Sequence, residues 1–316
     1  MKIRIQIQIQ IHLLAVSASL LLAGCSPALP SDPSIQIWGS RGRTPGRFAA
    51  PRAIHARGGL VYVIDRSGRV QKFDADGSCL LVWELEKYDN GTPTGVSIDE
   101  SGNVWIPDTH NSRILEYSSE GKWLLTFGEY GEAPGKFIYP TAIAFGEGGE
   151  LFITEYGVHD RVQVFSRAGQ YLNRTWGDFG AGEDQFNRPM GIVKAPDGLL
   201  YITDAVNHRV KVYTQRGERV RIFGRAGTGA GELQFPYAID ADGNGNLWIA
   251  DYGNHRVQIF APDGSFLGSW GHPGSGPGEL AEPWGVTVDG DRFYVADTKN
   301  HRIQSAPLLV FPTKGT

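Results

Sequence analysis

The sequence has few cysteines, little basic charge and no helical pattern, and each of these shortages restricts what the protein can be. Two cysteines, Cys25 and Cys79, occur among 316 residues, so at most one intrachain disulfide is possible. The net charge of −4 does not favour nucleic acid, which proteins bind through lysine and arginine. Because no stretch shows the 3.6-residue period of an amphipathic helix, we expect an all-β fold.

Long apolar runs are absent as well. The most apolar stretch, residues 11–23, is 13 residues long, whereas a membrane-spanning helix needs about 20. It follows Lys2 and Arg4 and ends in Leu-Ala-Gly-Cys at residues 22–25. A charged start, a short apolar core and small residues before a break are the parts of a secretory signal. The last four residues resemble the lipobox of bacterial lipoproteins, whose cysteine becomes the acylated N-terminus.

The lipobox resemblance implies a location for the protein. Lipidation of Cys25 leaves Cys79 as the remaining thiol, which excludes an intrachain disulfide. We expect the folded part to lie outside the cytoplasm, attached to the cell envelope through the lipid on Cys25 alone. Ser26 stands where an aspartate often signals inner-membrane retention, so the outer membrane is expected in a Gram-negative cell. The alternative is an ordinary cleaved signal followed by an incidental cysteine.

The sequence does contain a sixfold repeat: a strand-like run ending in an acid, a short loop, an arginine and a second strand-like run. The acids recur every 43 to 49 residues, which is the period of a supersecondary unit. Six near-copies favour a structural ion pair over catalysis, with the acid also accepting loop N–H groups. These predicted structural residues are Asp65, Asp108, Glu155, Asp204, Asp251 and Asp297, with Arg113, Arg161, Arg209, Arg256 and Arg302.

Each repeat reads as a four-stranded meander, because tight-turn sequences separate its first strand from the second and its third from the fourth. Six meanders packed radially give a six-bladed β-propeller. The last repeat has no clear fourth strand, so we expect the N-terminal strand near Trp38 to complete it. The residue two after the proline of each first strand is small, as crowding at the centre requires: Ala53, Gly95, Ala142, Gly191, Ala238 and Gly285.

Three repeats contain Asn-His-Arg, at residues 207–209, 254–256 and 300–302, which resembles the signature of NHL repeats. The resemblance extends from residue 35 to about residue 306 and implies a six-bladed propeller. It does not imply one function, because similar propellers serve as protein or RNA platforms, as receptor sensors and as metal-dependent lyases of peptidylglycine processing. The expected divisions are a lipoprotein signal peptide at residues 1–24, a tether at 25–34 and the propeller at 35–316.

Two features could suggest a metal site, and we interpret both as structural. The repeat loops carry five histidines, which are too far apart around a propeller face to share one ion at about 2.1 Å. Residues 240–251 match the spacing of a calcium loop but lack flanking helices and already form a strand and a turn. We therefore predict no metal and no cofactor. The asparagines of these loops suit a left-handed turn position: Asn111, Asn207, Asn254 and Asn300.

The predicted binding residues lie at equivalent positions whose residue type changes from one repeat to the next. The loops before the first strand and between the second and third strands emerge on one face, and on this loop-rich face certain positions change from blade to blade. Aromatic residues with arginine are typical of binding hot spots. The candidates are Arg52, Tyr139, Tyr156, Arg188, Tyr237, Tyr252, Glu282 and Trp284. The alternative is a solvated rim with some packing between blades.

These observations favour a lipid-anchored, non-enzymatic scaffold that binds a protein, peptide or glycan partner and no nucleic acid. No catalytic residues are predicted, because no nucleophile stands with a base at a recognisable spacing. The alternative is a metal-dependent lyase or hydrolase acting in the central channel. That chemistry needs several histidines or carboxylates on the inner strands, where the sequence offers mainly His55, Asp240 and Thr287.

Overall fold

The computed structural model describes residues 34–86 and 90–309. Within them the chain forms six antiparallel four-stranded sheets and four single 3-10 turns. The predicted all-β class and six-bladed propeller are confirmed. The signal peptide, Cys25 and nearly all of the predicted tether lie outside the described residues. No helix in the described part is long and apolar enough to span a membrane.

The strands of the first three blades follow one another along the chain, each blade running from its innermost to its outermost strand. Blade 1 contains Pro51–Arg57, Leu60–Asp65, Arg69–Asp74 and Cys79–Glu84. Blade 2 contains Ser97–Ile98, Val104–Asp108, Arg113–Tyr117 and Trp123–Phe127. Blade 3 contains Tyr139–Phe145, Glu150–Tyr156, Arg161–Ser166 and Tyr171–Trp176.

The next two blades repeat this order, and the last departs from it. Blade 4 contains Pro189–Lys194, Leu200–Asp204, Arg209–Tyr213 and Arg219–Phe223. Blade 5 contains Pro236–Ala241, Leu247–Asp251, Arg256–Phe260 and Phe266–Trp270. Blade 6 contains Pro283–Asp289, Arg292–Asp297, Arg302–Pro307 and, from the start of the fold, Gln36–Trp38. The 3-10 turns are Thr109–Asn111, Ala205–Asn207, Tyr252–Asn254 and Thr298–Asn300.

The N-terminal strand is the outermost strand of blade 6, where Gln36 pairs with Ser305 and Trp38 with Ile303. Trp38 also packs edge-on against Tyr294, with ring centroids 6.0 Å apart, and lies near Phe73 of blade 1. Both ends of the propeller therefore belong to one sheet, which joins the last blade to the first. A short parallel pair, His272–Pro273 with Glu279–Leu280, lies in the connection between blades 5 and 6.

The core consists of separate apolar clusters, one at each of the six junctions between neighbouring blades. At one junction Trp248 of blade 5 stacks on Phe293 of blade 6 with ring centroids 4.7 Å apart, and both are fully buried. Burying an aromatic side chain of this size is among the largest single stabilising contributions a residue makes. Each blade thus depends on its neighbours for burial, as the repeat length predicts.

The inner strands approach so closely that three of them require glycine. A Cβ at Gly191 would lie 2.7 Å from the backbone oxygen of Tyr237, and one at Gly285 would lie 2.7 Å from that of Arg52. Gly95 faces the backbone oxygen of Thr141 even more closely. The predicted crowding at the centre is therefore real. What remains between the six inner strands is a central channel with a volume of about 920 Å³.

All six repeated acids pair with the arginine that follows them, at N–O distances between 2.7 and 2.9 Å. Asp251 illustrates the pattern: it accepts hydrogen bonds from the backbone N–H of Gln234 and from the side chains of Asn254 and Arg256. The arginine reaches on to the backbone oxygen of Glu232. These repeat ion pairs tie the second and third strands to the loop that precedes the first strand.

The prediction for the loop asparagines was wrong. The left-handed position belongs to the next residue, with φ near 55°: Ser112, His208, His255 and His301. The asparagine instead donates its side-chain N–H to the carboxylate of the repeated acid, as Asn207 does to Asp204 at 3.0 and 2.9 Å. The carboxylate thus holds the asparagine within the 3-10 turn, and the residue after it reverses the chain.

Three of the loop histidines connect neighbouring blades. His208 accepts the backbone N–H of Phe235, His255 that of Glu282 and His301 that of Ala50, at 2.9 to 3.1 Å through Nδ1. We call these the latch histidines. Each joins its own blade to the residue just before the first strand of the following blade, so their predicted structural interpretation is supported by a specific contact.

Candidate functional site

Three of the eight binding residues predicted from sequence, Arg52, Tyr237 and Trp284, line one end of the central channel, and the other five contact them directly or through one another. Some flank the first strand of a blade and others follow the repeated acid, and the propeller brings both positions to the same opening. Side-chain contacts connect all eight into one network. We call them the mouth residues: Arg52, Tyr139, Tyr156, Arg188, Tyr237, Tyr252, Glu282 and Trp284.

Aromatic rings form two groups within the mouth. In blades 5 and 6, the ring centroid of Tyr237 lies 4.5 Å from that of Tyr252 and 4.5 Å from that of Trp284. In blade 3, the rings of Tyr139 and Tyr156 lie 5.0 Å apart. Tyr237 is nearly buried, whereas Tyr139 is 37% exposed, so the second group offers more free surface.

The two mouth arginines connect these aromatic groups across blade boundaries. The guanidinium of Arg188 lies 5.1 Å from the ring centroid of Tyr156 and 6.0 Å from that of Tyr237. The guanidinium of Arg52 lies 4.7 Å from the ring of Trp284. These separations are within the range of cation–π attraction. The arrangement fixes both cations against the wall of the opening.

Neither mouth arginine forms an ion pair with a carboxylate in the part of the chain that the structure describes. The Nε atoms of Arg52 and Arg188 are buried and have no hydrogen-bond partner there. Burial, together with repulsion from Arg66 and Arg188, lowers the pKa of the Arg52 guanidinium. Both arginines are half-buried, and burying part of a cation without a counter-ion costs free energy, so we do not attribute this arrangement to stability.

Two mouth residues occupy a strained backbone position. Arg188 has φ of 59° and Glu282 has φ of 51°, and Ala50 and Phe235 have similar values at the equivalent place before the first-strand proline. The backbone there must turn left-handed to offer its N–H to the previous blade. Glycine would adopt this conformation at no cost, yet this chain uses residues as different as arginine and phenylalanine. The fold therefore dictates the conformation but not the side chain.

The one carboxylate among the mouth residues is already engaged. Glu282 accepts a hydrogen bond from the Tyr252 hydroxyl at 2.6 Å and lies 3.5 Å from Nζ of Lys299. Burial and the adjacent Glu282 carboxylate raise the pKa of Tyr252, so its hydroxyl keeps its proton and donates. Glu282 thus fixes one wall of the opening.

Sequence reasoning grouped His110 and His159 with the other loop histidines, but the structure separates them. The ring of His110 packs edge-on against Tyr139, 5.7 Å between centroids, so His110 belongs beside the mouth. Burial and the positive charge of Arg52 lower its pKa, which favours a neutral imidazole. His159 lies near the surface, 3.0 Å from Asp178, and Asp160 takes the latch position by accepting the N–H of Arg188. The sequence contains a signal for this difference: the latch histidines each directly follow an asparagine, whereas His110 and His159 do not.

The candidate channel residues are tied to the backbone. Asp240 accepts hydrogen bonds from the Thr287 hydroxyl at 2.8 Å and from the N–H of Val288 at 2.9 Å. His55 accepts the N–H of Ile98 at 3.2 Å through Nδ1, and burial lowers its pKa although Asp240 opposes the shift. Residues 34–86 and 90–309 contain no group of three His, Cys, Asp or Glu side chains arranged to hold a metal ion.

The stretch with calcium-loop spacing forms an ordinary turn. Asp242 accepts the backbone N–H groups of Asn244 and Asn246 at 2.9 Å each, and its second oxygen accepts the indole N–H of Trp248 at 3.2 Å. This carboxylate therefore satisfies the turn and orients a buried tryptophan. The geometry supports the structural interpretation of these residues.

Comparison with known sequences finds a matching repeat family and several relatives. A family model of the NHL repeat matches residues 186–213, 233–260 and 280–304. The chain is 27% identical to NHL repeat-containing protein 3 of Mus musculus over 51% of this chain and 50% of the relative. It is 27% identical to the protein brain tumor of Drosophila melanogaster over 42% of this chain and 12% of the relative.

A third relative is an enzyme: the chain is 30% identical to the peptidyl-glycine alpha-amidating monooxygenase of Mus musculus over 41% of this chain and 14% of the relative. The chain thus spans half or less of the length of these relatives.

Comparison with solved structures supports the fold. A protein of unknown function from Bacteroides thetaiotaomicron superposes with a TM-score of 0.69 at 14% identity, covering 86% of this chain and 76% of its own. Virginiamycin B lyase from Staphylococcus aureus superposes with a TM-score of 0.61 at 16% identity, covering 87% and 99%. At such identities the likeness concerns the fold alone.

Proposed function

Since the chain is an NHL-repeat six-bladed β-propeller, we propose that it is a non-enzymatic binding scaffold whose mouth residues capture a protein, peptide or glycan partner. The proposal includes export and attachment to the cell envelope through a lipid on Cys25. The observation that carries it is the pair of mouth arginines, whose Nε atoms are buried beside aromatic rings and have no hydrogen-bond partner in residues 34–86 and 90–309.

The contrast with the repeat ion pairs supports this assignment. Each repeat arginine has a carboxylate within 2.9 Å, which the fold supplies six times over. Arg52 and Arg188 occur once each, at positions where other blades hold different residues. A buried side-chain nitrogen that has no partner among the described residues, at a position where the repeat does not require an arginine, is best explained by a contact with another molecule.

Site-directed photo-crosslinking in the producing cell tests the proposed binding face. A photoreactive residue at Tyr139 should yield a discrete crosslinked partner, and the double variant Arg188→Ala with Trp284→Ala should abolish that product. The matched control is Glu147→Ala with Lys194→Ala, which alters charged residues at the opposite opening of the channel. Equal crosslinking in the mouth variant and the control would reject this face as the binding site.

Membrane attachment is tested separately. We expect the full chain to fractionate with membranes and to incorporate a fatty-acid label, and we expect Cys25→Ser to lose both properties. Cys79→Ser is the control, because Cys79 lies in the outer strand of blade 1 and should not affect attachment. Retention of the label in Cys25→Ser would exclude the proposed anchor.

A metal-dependent lyase acting in the channel is the second candidate. The channel of about 920 Å³ is large enough for a small substrate, it contains His55 and Asp240, and one relative is an amidating enzyme. His55 and Asp240 provide at most two ligands, whereas catalytic zinc sites use three protein ligands. Elemental analysis of the purified protein decides this point, since stoichiometric zinc or calcium bound in the channel would favour the lyase over the scaffold.

A further inference from the structure

The mouth carries positive charge that the described part of the protein does not neutralise. The repeated acids are engaged with their own arginines, and Glu282 is engaged with Tyr252 and Lys299. Arg52 and Arg188 have no such partner among residues 34–86 and 90–309, and each presents a buried Nε without a hydrogen bond. A cation held in this way is completed by an anion that comes from outside the protein.

The geometry of the two guanidinium groups indicates which anion fits. Each lies over an aromatic ring, Arg52 over Trp284 at 4.7 Å and Arg188 over Tyr156 at 5.1 Å. A guanidinium held against a ring directs its N–H groups sideways, and this planar edge pairs with a planar carboxylate through two parallel hydrogen bonds. The aromatic surroundings suit the organic body that a carboxylate carries and that inorganic phosphate lacks.

The space behind the arginines can accept that body. The channel of about 920 Å³ begins at Arg52, Tyr237 and Trp284 and continues between inner strands whose residues include Ala142 and Gly191. At the opening itself Tyr139 is 37% exposed and offers a free ring surface. A short apolar or aromatic group fits this environment better than a bulky charged one.

Resting on the proposed binding function, we propose that the mouth is a carboxylate-binding site. Arg52 and Arg188 hold the carboxylate of the ligand, and its apolar or aromatic body packs against Trp284 and Tyr139 at the start of the channel. The same chemistry is offered by the C-terminal residue of a peptide and by a free aromatic acid. Neither mouth arginine performs a chemical step.

Calorimetric titration of the purified protein with matched acid and amide probes tests the inference. N-acetylphenylalanine represents a peptide end and benzoate a free aromatic acid, and each is compared with its own amide. We expect at least one acid to bind about tenfold or more tightly than its amide, because the charge-assisted hydrogen bonds are lost in the amide. Tighter binding of N-acetylphenylalanine would identify the ligand as a peptide C-terminus, and tighter binding of benzoate would identify it as a free aromatic acid.

Variants locate the binding site. Arg52→Gln and Arg188→Gln should each reduce the affinity for the acid by about tenfold or more and leave the affinity for the amide unchanged. Arg225→Gln is the matched control, because Arg225 is a paired arginine whose side chain is 81% exposed outside the mouth. Circular dichroism and the melting temperature establish that the variants are folded, so a loss of binding in a folded variant supports the proposal.

Three outcomes would overturn the inference: acids and amides bind equally, neither acid binds, or inorganic phosphate binds as tightly as the acids. These failures are distinguishable from failure of the proposed function. If the crosslink from Tyr139 remains sensitive to the Arg188→Ala and Trp284→Ala substitutions while the acids show no preference, the mouth binds a partner but does not recognise a carboxylate. If no mouth-dependent crosslink forms, the binding function itself fails.

Discussion

The repeat ion pairs and the mouth use the same side chain on the same face of the propeller, with opposite results. Arg256 donates to Asp251 at 2.9 Å and to two backbone oxygens of the preceding loop. Arg188 lies against aromatic rings and keeps a buried Nε without a partner in the described residues. Arg256 therefore has both a counter-ion and backbone acceptors, whereas the Nε–H of Arg188 has no acceptor in the described residues.

This difference indicates how the protein divides its tasks. Residues that recur in every blade hold the strands and the preceding loop of that blade together, and residues that occur once are free to serve a ligand. If that division is correct, substitutions in the repeat ion pairs should lower stability with little direct effect on binding. Substitutions at the mouth should weaken binding with little effect on stability.

The largest effect is expected from Asp251→Ala. Asp251 is fully buried and accepts hydrogen bonds from Gln234, Asn254, Arg256 and Gln258, so its removal leaves a partly buried arginine without its counter-ion. We expect the free energy of unfolding to fall by about 3–5 kcal/mol in a denaturant titration. Glu100→Ala, at an exposed turn, should change it by less than about 0.5 kcal/mol. Similar values for both variants would remove the distinction between the two regions.

A somewhat smaller loss is expected where the inner strands meet. In Gly285→Ala the new methyl group would lie 2.7 Å from the backbone oxygen of Arg52, and blades 6 and 1 would have to separate slightly. The expected loss in the free energy of unfolding is about 1–3 kcal/mol. Gly243→Ala provides the control, because a Cβ at Gly243 meets no atom within 4 Å. A neutral Gly285→Ala would show that the inner strands are less tightly packed than described.

The latch histidines should have a moderate effect. His255→Ala removes the acceptor of the Glu282 N–H at the junction between blades 5 and 6. We expect a loss of about 1–2 kcal/mol, because one partly buried donor is left without its acceptor. His159→Ala, which alters an exposed histidine of a similar loop, should lie within about 0.5 kcal/mol of the parent protein in the same thermal or chemical unfolding experiment. Equal losses would contradict the separate roles assigned to the two histidines.

The smallest effect on stability is expected at the mouth. Arg52→Gln and Arg188→Gln remove positive charges that have no carboxylate partner in the described part of the chain, so the free energy of unfolding should stay within about 1 kcal/mol of the parent or rise slightly. Unfolding curves measured beside the binding assay provide the comparison. A loss as large as that of Asp251→Ala would assign these arginines to the fold and reverse our interpretation of the mouth.

Most of the fold could be predicted because its requirements are repeated six times. The acid and arginine of each blade, exemplified by Asp204 and Arg209, recur in every repeat, and the small residue of each inner strand recurs with them. Residue types that recur in all six blades are those the blade structure requires, and positions that vary are those where it tolerates different residues. The same comparison identified the mouth, because Arg188 and Trp284 stand at positions whose residue changes from blade to blade.

What could not be predicted depends on contacts between blades. The left-handed turn was assigned to Asn207 although His208 adopts it, because the choice depends on which side chain the carboxylate of Asp204 attracts. His110 was grouped with the other loop histidines because its contact with Tyr139 connects blades 2 and 3. Arg52 has no counter-ion among the residues that the structure describes, and this too depends on which distant parts of the chain meet at one opening.

The pairing of Gln36 with Ser305 has a consequence for the kinetics of folding. Within residues 34–86 and 90–309, the strand Gln36–Trp38 precedes all other strands, and its partner Arg302–Pro307 follows them. The ring therefore cannot close until the chain has been synthesised through Pro307, and the early strand stays unpaired until then. Contacts of such high sequence separation slow folding and expose unpaired edges in the meantime. Closure of blade 6 is thus expected to be the last and slowest step in forming the native ring.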